Sequence, residues 1–212
     1  MIEQSFSEVF ASALDGAPTV VVGIGDRPTT LPVHLWSRTA DRSDHTLLAL
    51  CDGPTLDVGC GPGRLTEALA TRGHIVLGID VVPTAVMMTR ERGVPALQRD
   101  VFDRLPGEDR WHTVLLADGN IGIGGDPLRL LQRVRTLLAT GGRVVVELGE
   151  PGTAVVSCWA ALEANDRRSR PFRWATLGVD DIGRVAATAG FDVPHIHRFG
   201  DRWAAVLTEV AP

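Results

Sequence analysis

Between Pro54 and Leu148, short β-branched runs alternate with helical stretches, and few folds accept that order. Strands are expected at Thr55 to Val58, His74 to Ile79, Ala96 to Gln98, His112 to Ala117 and Arg143 to Leu148. Helices are expected at Arg64 to Thr71, Thr84 to Arg92 and Pro127 to Leu138. Pro127 suits a first helical turn, and Gly141-Gly142 reads as the end of the last helix. The strands are nearly continuous apolar runs, the pattern of parallel strands buried on both faces. A doubly wound α/β sheet follows.

The flanks differ. Ser5 to Leu14 places Phe6, Val9, Phe10, Ala13 and Leu14 at helical spacing, and Gly16 and Pro18 stop it. Thr19 to Val22 reads as a short strand, Gly23 to Pro32 as a loop and Asp41 to Leu50 as a helix. Asp180 to Ala189 is a helix closed by Gly190. Phe191 to Arg198 and Trp203 to Glu209 form an antiparallel hairpin across Gly200-Asp201. We divide the chain into an N-terminal cover segment, 1–50, and a main domain, 51–212, with an insertion at 149–178. That insertion reads as a small hairpin or lid.

At 212 residues the chain is about one domain long. No apolar run reaches the ~20 residues that span a bilayer. Met1 to Gln4 is acidic and lacks a basic stretch ahead of an apolar one, so no secretory leader is expected. Cys51, Cys60 and Cys158 are three, scattered and without a C-x-x-C pair, so neither a disulfide framework nor a metal site is expected. These features point to the reducing cytoplasm. Net charge is 21 minus 26, or −5, which disfavours broad nucleic-acid binding. All the cations are arginine, and lysine and tyrosine are absent, which removes lysine Schiff-base chemistry and a tyrosine base.

The chemistry concentrates at Leu56-Asp57-Val58-Gly59-Cys60-Gly61-Pro62-Gly63-Arg64. This segment leaves a strand and opens a helix. Its glycines let the backbone turn and approach a ligand, and the helix start offers free N–H groups to an anion. A dinucleotide fingerprint would carry glycine where Arg64 stands. Gly78-Ile79-Asp80 ends the next strand, with Asp80 17 residues beyond Gly63. A carboxylate there can accept from both hydroxyls of a ribose. Gln98-Arg99-Asp100-Val101-Phe102 ends the third strand, and Leu116-Ala117-Asp118 the fourth.

The D-x-G-x-G-x-G pattern resembles motif I of the class I S-adenosylmethionine-dependent methyltransferases, and the chain from this strand onward resembles bacterial small-molecule enzymes of the methyltransferase-domain 11 and 25 types. The segment Asp100 to Pro106, the run Leu130 to Val146 and the terminal hairpin are similar to later parts of that family, so the resemblance covers residues 54–208. It implies a Rossmann-like seven-stranded sheet in the order 3-2-1-4-5-7-6, with strand 7 antiparallel. It implies that Asp57, Gly59, Cys60, Gly61 and Gly63 line the methionine part of S-adenosylmethionine. Asp80 and Val81 would hold the ribose; Asp100, Val101 and Phe102 would frame the adenine; Asp118 would stand beside the sulfonium. S-adenosylhomocysteine would be the product. In similar enzymes an N-terminal segment folds over the cofactor, a role open to Trp36 or Arg38.

The acceptor is expected to be a small molecule, attacked through O, N or C. No catalytic dyad is evident, and none is required when the nucleophile carries no proton. Asp118-Gly119-Asn120 is the candidate substrate-facing segment, with Asp118 or Asn120 positioning an amine or hydroxyl; the alternative is a plain connection capped by Asp126. Arg173, in the run Arg167 to Trp174, could meet an anionic substrate or a second copy of the chain, forming a homodimer. Competing readings are an NAD-dependent oxidoreductase and an inactive S-adenosylmethionine-binding protein.

Overall fold

The computed structural model describes residues 1–192 and 194–209. Part of the expected strand Phe191 to Arg198, and the last three residues of the 51–212 division, therefore lie outside the described residues. In chain order the elements begin with β1 (Ile2–Gln4), α1 (Phe6–Leu14), β2 (Thr19–Val22), β3 (Thr29–Thr30), α2 (Val33–Ser37) and α3 (Arg42–Leu48). The central part follows with β4 (Thr55–Val58), α4 (Arg64–Thr71), β5 (Val76–Asp80), α5 (Pro83–Glu91), β6 (Ala96–Gln98) and β7 (Trp111–Leu116). Two 3-10 turns at Asn120–Gly125 lead to α6 (Pro127–Arg135) and β8 (Leu138–Leu148). The chain continues through β9 (Val156–Ala164), β10 (Arg167–Ser169), β11 (Phe172–Thr176), α7 (Ile182–Ala189), β12 (His195–Phe199) and β13 (Arg202–Thr208).

The main sheet runs β12-β13-β8-β7-β4-β5-β6. Strands β4 to β8 are mutually parallel, and β13 is antiparallel to both neighbours. This is the expected Rossmann-like order with its one reversed strand. Side chains alternate across it as the two-residue period of a strand requires. Val114 and Leu116 of β7 face a core with Leu130 and Val134 of α6 and Val185 of α7. Leu115 points the other way, to Leu47 of α3 and Leu69 of α4.

A second, smaller sheet is assembled from both flanks. Strand β9 is its centre: β2 pairs along one stretch, while β10 and β11 pair along others. Strand β1 adds in parallel to β10, and β3 closes the edge beside β2. Helix α1 packs Val9 against Val21, Ala160 and Leu162 of this sheet. Its start is fixed by a capping box, in which Ser5 and Glu8 exchange side-chain and backbone hydrogen bonds.

Two stretches depart most from the expected bounds. Helix α6 ends at Arg135, not Leu138, and the strand begins at Leu138, not Arg143. Leu137 and Leu138 continue the apolar helical spacing, but Leu138 pairs with Trp111 and leaves the helix. Gly141 and Gly142 then lie inside β8, at a register irregularity against β7 between Trp111 and Thr113. A Cβ on Gly142 would come within 3.0 Å of the Trp111 carbonyl oxygen. The other departure is Gly23 to Pro32, which is not wholly loop, because Thr29 and Thr30 pair back onto Val21 and Val20. Among the described residues no helix is long and apolar enough to cross a membrane.

Candidate functional site

The carboxyl ends of β4, β5 and β7 meet the small sheet across a cavity of about 510 Å³. Ligand pockets of globular proteins are commonly this large, and in open α/β sheets they lie at this edge. The floor is the turn from β4 into α4. Gly59, Gly61 and Gly63 have φ of +71°, +53° and +86°, which other residues seldom adopt. The three positions differ in what surrounds them. A Cβ on Gly59 would strike Asn120, and one on Gly63 would strike Thr89. One on Gly61 would meet nothing within 4 Å and would project into open space at the cavity lining.

Asp80 ends β5 at the cavity. Its Oδ2 accepts from the Gly61 amide at 2.9 Å and its Oδ1 from the Val82 amide at 2.8 Å. Burial raises its pKa against the pull of those amides. Asp57, on β4, is 2% exposed. Burial pushes its carboxyl up to about 7, despite a 2.7 Å hydrogen bond from the Thr66 hydroxyl. Among the described residues neither carboxylate is in an ion pair. Buried carboxylates in this state favour an occupant that brings donors or positive charge.

Behind the floor lies an ion network. Arg64, 4% exposed, binds Asp44 of α3 through Nη1 and Asp118 through Nη2, the latter at 2.6 Å. Asp44 is fully buried and also accepts from Arg38 at 2.9 Å and Arg202 at 2.8 Å. Burial alone would raise the Asp44 carboxyl, but Arg64, the Asp41 amide and Arg202 together hold it well below the usual range. Arg202 grips Glu147 with two hydrogen bonds of 2.7 and 2.9 Å. Among the described residues the buried Arg64 Nε has no hydrogen-bond partner, and Arg64 is one of the residues that line the cavity. Asp118 stands in the left-handed region at φ +51°, with its amide donating to Glu147. Desolvation raises its carboxyl, and Arg64 opposes the rise.

The residues singled out from sequence fall into two groups. Asp57, Gly59, Cys60, Gly61, Asp80, Val81, Asp100, Val101, Asp118, Asn120, Trp36 and Arg173 all line the cavity. Cys60 is a buried filler with its thiol pKa raised, close to Thr89. The Asn120 amide is spent on the Val58 and Gly59 carbonyls at 2.8 and 3.0 Å, so it braces the turn and leaves only its oxygen for a ligand. Gly63, Phe102 and Arg38 lie elsewhere. Gly63 caps α4 against Thr89. The Phe102 ring sits 4.4 Å beneath the Arg129 guanidinium. Arg38 is taken up by Asp41 and Asp44.

Sequence reasoning did not find Asp44, Glu147 or Arg202. Only the Asp41-x-x-Asp44 capping box hinted at Asp44, and a cap does not announce a buried hub. It also missed the aromatic roof of the cavity, made by Phe6 and Phe10 of α1 with Phe172 and Trp174 of β11.

Residues 55–142 match the family model described as a methyltransferase domain. Trans-aconitate 2-methyltransferase of Rhodococcus jostii is 33% identical over 145 residues, which are 64% of this chain and 56% of that protein. The protein of the same name from Mycobacterium tuberculosis is 33% identical over 115 residues, 53% of this chain and 42% of that one. The chain thus spans about half the length of these curated relatives. A Bacteroides fragilis S-adenosylmethionine-dependent methyltransferase, solved with S-adenosyl-L-homocysteine, superposes with a TM-score of 0.80 at 23% identity, over 97% of this chain and 94% of that one. The CcbJ methyltransferase of Streptomyces caelestis gives 0.67 at 18% identity, over 98% and 99%. These structures share the fold.

Proposed function

We propose, from the premise that the chain carries a class I S-adenosylmethionine-dependent methyltransferase domain, that it transfers a methyl group from S-adenosylmethionine to a small-molecule acceptor. One observation carries the reading. The cavity floor combines a glycine turn left open at Gly61 with buried carboxylates at Asp57 and Asp80. Those groups fit the three polar parts of that cofactor. The N–H groups at the start of α4 can donate to its carboxylate. Asp57 can accept from its ammonium, which would also neutralise the buried charge. The lone pairs that Asp80 does not spend on Gly61 and Val82 can accept from ribose hydroxyls. Asp100 and Val101 border the same cavity at the end of β6, where an adenine would lie.

When bound, the cofactor supplies an activated methyl on a sulfonium, so the protein need only bring a nucleophile into line and keep water out. The apolar roof from α1, β2, β9 and β11 excludes water. Asp118 Oδ2 is held by Arg64, and its Oδ1 lies 3.9 Å from Arg202, leaving that oxygen to accept from an acceptor N–H or O–H. Residues 1–50 act in this reading as a cover that completes the roof with the 149–178 insertion.

Calorimetric titration with S-adenosylmethionine, S-adenosylhomocysteine and NAD tests the proposal. The first two are expected to bind, and Asp80→Ala to weaken them about tenfold or more, the worth of a lost charge-assisted hydrogen bond. Binding of NAD alone would sink it in favour of an oxidoreductase. Cofactor binding with no turnover on any acceptor would favour an inactive binding protein.

A further inference from the structure

The part of the cavity away from the glycine turn is walled by five half-buried aromatic rings. Phe6 meets Phe172 edge-on at 4.8 Å, Phe172 meets Trp174 edge-on at 6.2 Å, and Phe10 stacks on Trp36 at 6.0 Å with 23° between their planes. The rings come from α1, α2 and β11, so they converge from three separate elements on one space. Such surfaces favour the flat face or edge of another ring.

Charge points the same way. Four carboxylates line the cavity, Asp57, Asp80, Asp100 and Asp118, against three arginines, Arg64, Arg99 and Arg173. Two of Arg64's three guanidinium nitrogens already meet Asp44 and Asp118. Arg99 is exposed at the rim and donates to the Gln98 carbonyl. Arg173 is exposed too, with its guanidinium 5.2 Å from the centre of the Trp159 ring. With Arg64 bound to Asp44 and Asp118 and with Asp57 given to the cofactor ammonium, the interior offers an anionic acceptor no free cation among the described residues, while Asp118 would repel it. A single anionic substituent reaching the rim would still meet Arg173.

We infer that the acceptor is a planar aromatic or similarly apolar molecule with at most one anionic group, and not a polycarboxylate such as trans-aconitate. The inference rests on the proposed methyl transfer at this cavity, and it separates this chain from the relatives whose names specify trans-aconitate. Nucleophiles suited to it are a ring amine or hydroxyl set against Asp118.

The test is calorimetric binding of 1-naphthol and of trans-aconitate to the full chain saturated with S-adenosylhomocysteine. We expect 1-naphthol to bind, and trans-aconitate to bind about tenfold more weakly or worse. Trp36→Ala should weaken 1-naphthol about tenfold and leave S-adenosylhomocysteine within about threefold, because that ring faces the roof. Arg173→Ala should leave 1-naphthol within about twofold. Tighter binding of trans-aconitate overturns the inference. So does indifference of 1-naphthol to Trp36→Ala, or its failure to bind at about 1 mM a chain that holds S-adenosylhomocysteine. Should S-adenosylhomocysteine itself not bind, the cofactor reading fails instead, and the same two ligands titrated into the free chain still decide the acceptor chemistry.

Discussion

Replacing Asp57 by asparagine should make the unliganded protein more stable at neutral and alkaline pH. The carboxyl is 2% exposed and, among the described residues, has one side-chain hydrogen bond, from Thr66, and no ion pair. Its pKa climbs from 3.8 to about 7 because burial penalises the charge. In the unfolded chain the group ionises near its ordinary value. From there up to pH 7, the folded state holds a proton that the unfolded state has released, so stability falls as pH rises. At about 1.36 kcal/mol per pH unit, the climb from 3.8 to about 7 costs at most about 4 kcal/mol. Above the folded pKa both states are ionised and the penalty is constant. Asparagine keeps an acceptor for Thr66 without the charge.

The assay is urea unfolding of both proteins in buffers from about pH 4.5 to about pH 8.5, read as the difference between them so that Asp80 and Asp118 cancel. The variant's advantage should grow with pH and level off above about pH 7. Saturating S-adenosylhomocysteine, by placing an ammonium in the cavity, should reduce it. Parallel profiles for the two proteins would refute the reasoning, because they would mean that Asp57 is already ionised at low pH.

Asp44→Ala leaves Arg64, Arg202 and Arg38 without their shared counter-ion and should cost about 3–5 kcal/mol, seen as a fall in Tm of about 10 °C in a thermal melt. Because the Asp44 carboxyl is held below its ordinary value, its contribution is present above about pH 4 and is lost as pH falls further; equal melts for the two proteins at pH 7 would remove the network from the stability argument. Gly63→Ala and Gly61→Ala should behave differently. The first puts a Cβ 2.7 Å from the Thr89 hydroxyl at φ +86° and should lower stability by several kcal/mol by urea unfolding, strain and clash together, roughly 1–2 kcal/mol of it from the backbone alone. The second meets open space and should cost about 1–2 kcal/mol of stability, but weaken S-adenosylhomocysteine binding by a larger factor. Equal effects on both readouts would mean that Gly61 does not face the ligand.

How much could be read beforehand depended on whether a signal was local. The main sheet announced itself because Val58, Ile79, Leu115 and Val145 belong to strands buried on both faces, so their apolar runs are unbroken. The glycine turn and Asp80 carry their geometry within a few residues. The end of α6 was misread because Leu137 and Leu138 satisfy the helical period, and only pairing with Trp111 makes Leu138 a strand residue. Ile2–Gln4 has no strand pattern of its own and exists as β1 because Arg167–Ser169 offers it an edge. Asp44, Arg64 and Arg202 come from far apart in the chain, so nothing adjacent to any of them predicts that they meet. The roof aromatics at Phe6 and Phe10 looked like an ordinary core face, since four-residue spacing is the same whether a helix covers a core or a cavity.

Strand β9 also sets an order of assembly. Val21 pairs with Leu162, and Ile2 with Arg167, so the roof joins residues made early in synthesis to residues made late. Until 156–169 have left the ribosome, the β2–β3 hairpin lacks a neighbour on its open edge and β1 has none at all. The turn at Gly59 to Gly63, by contrast, can form once β4, β5 and β7 have aligned. Pairing of the strands beneath the cavity floor thus needs residues only up to 116, whereas pairing of its cover needs residues up to 169.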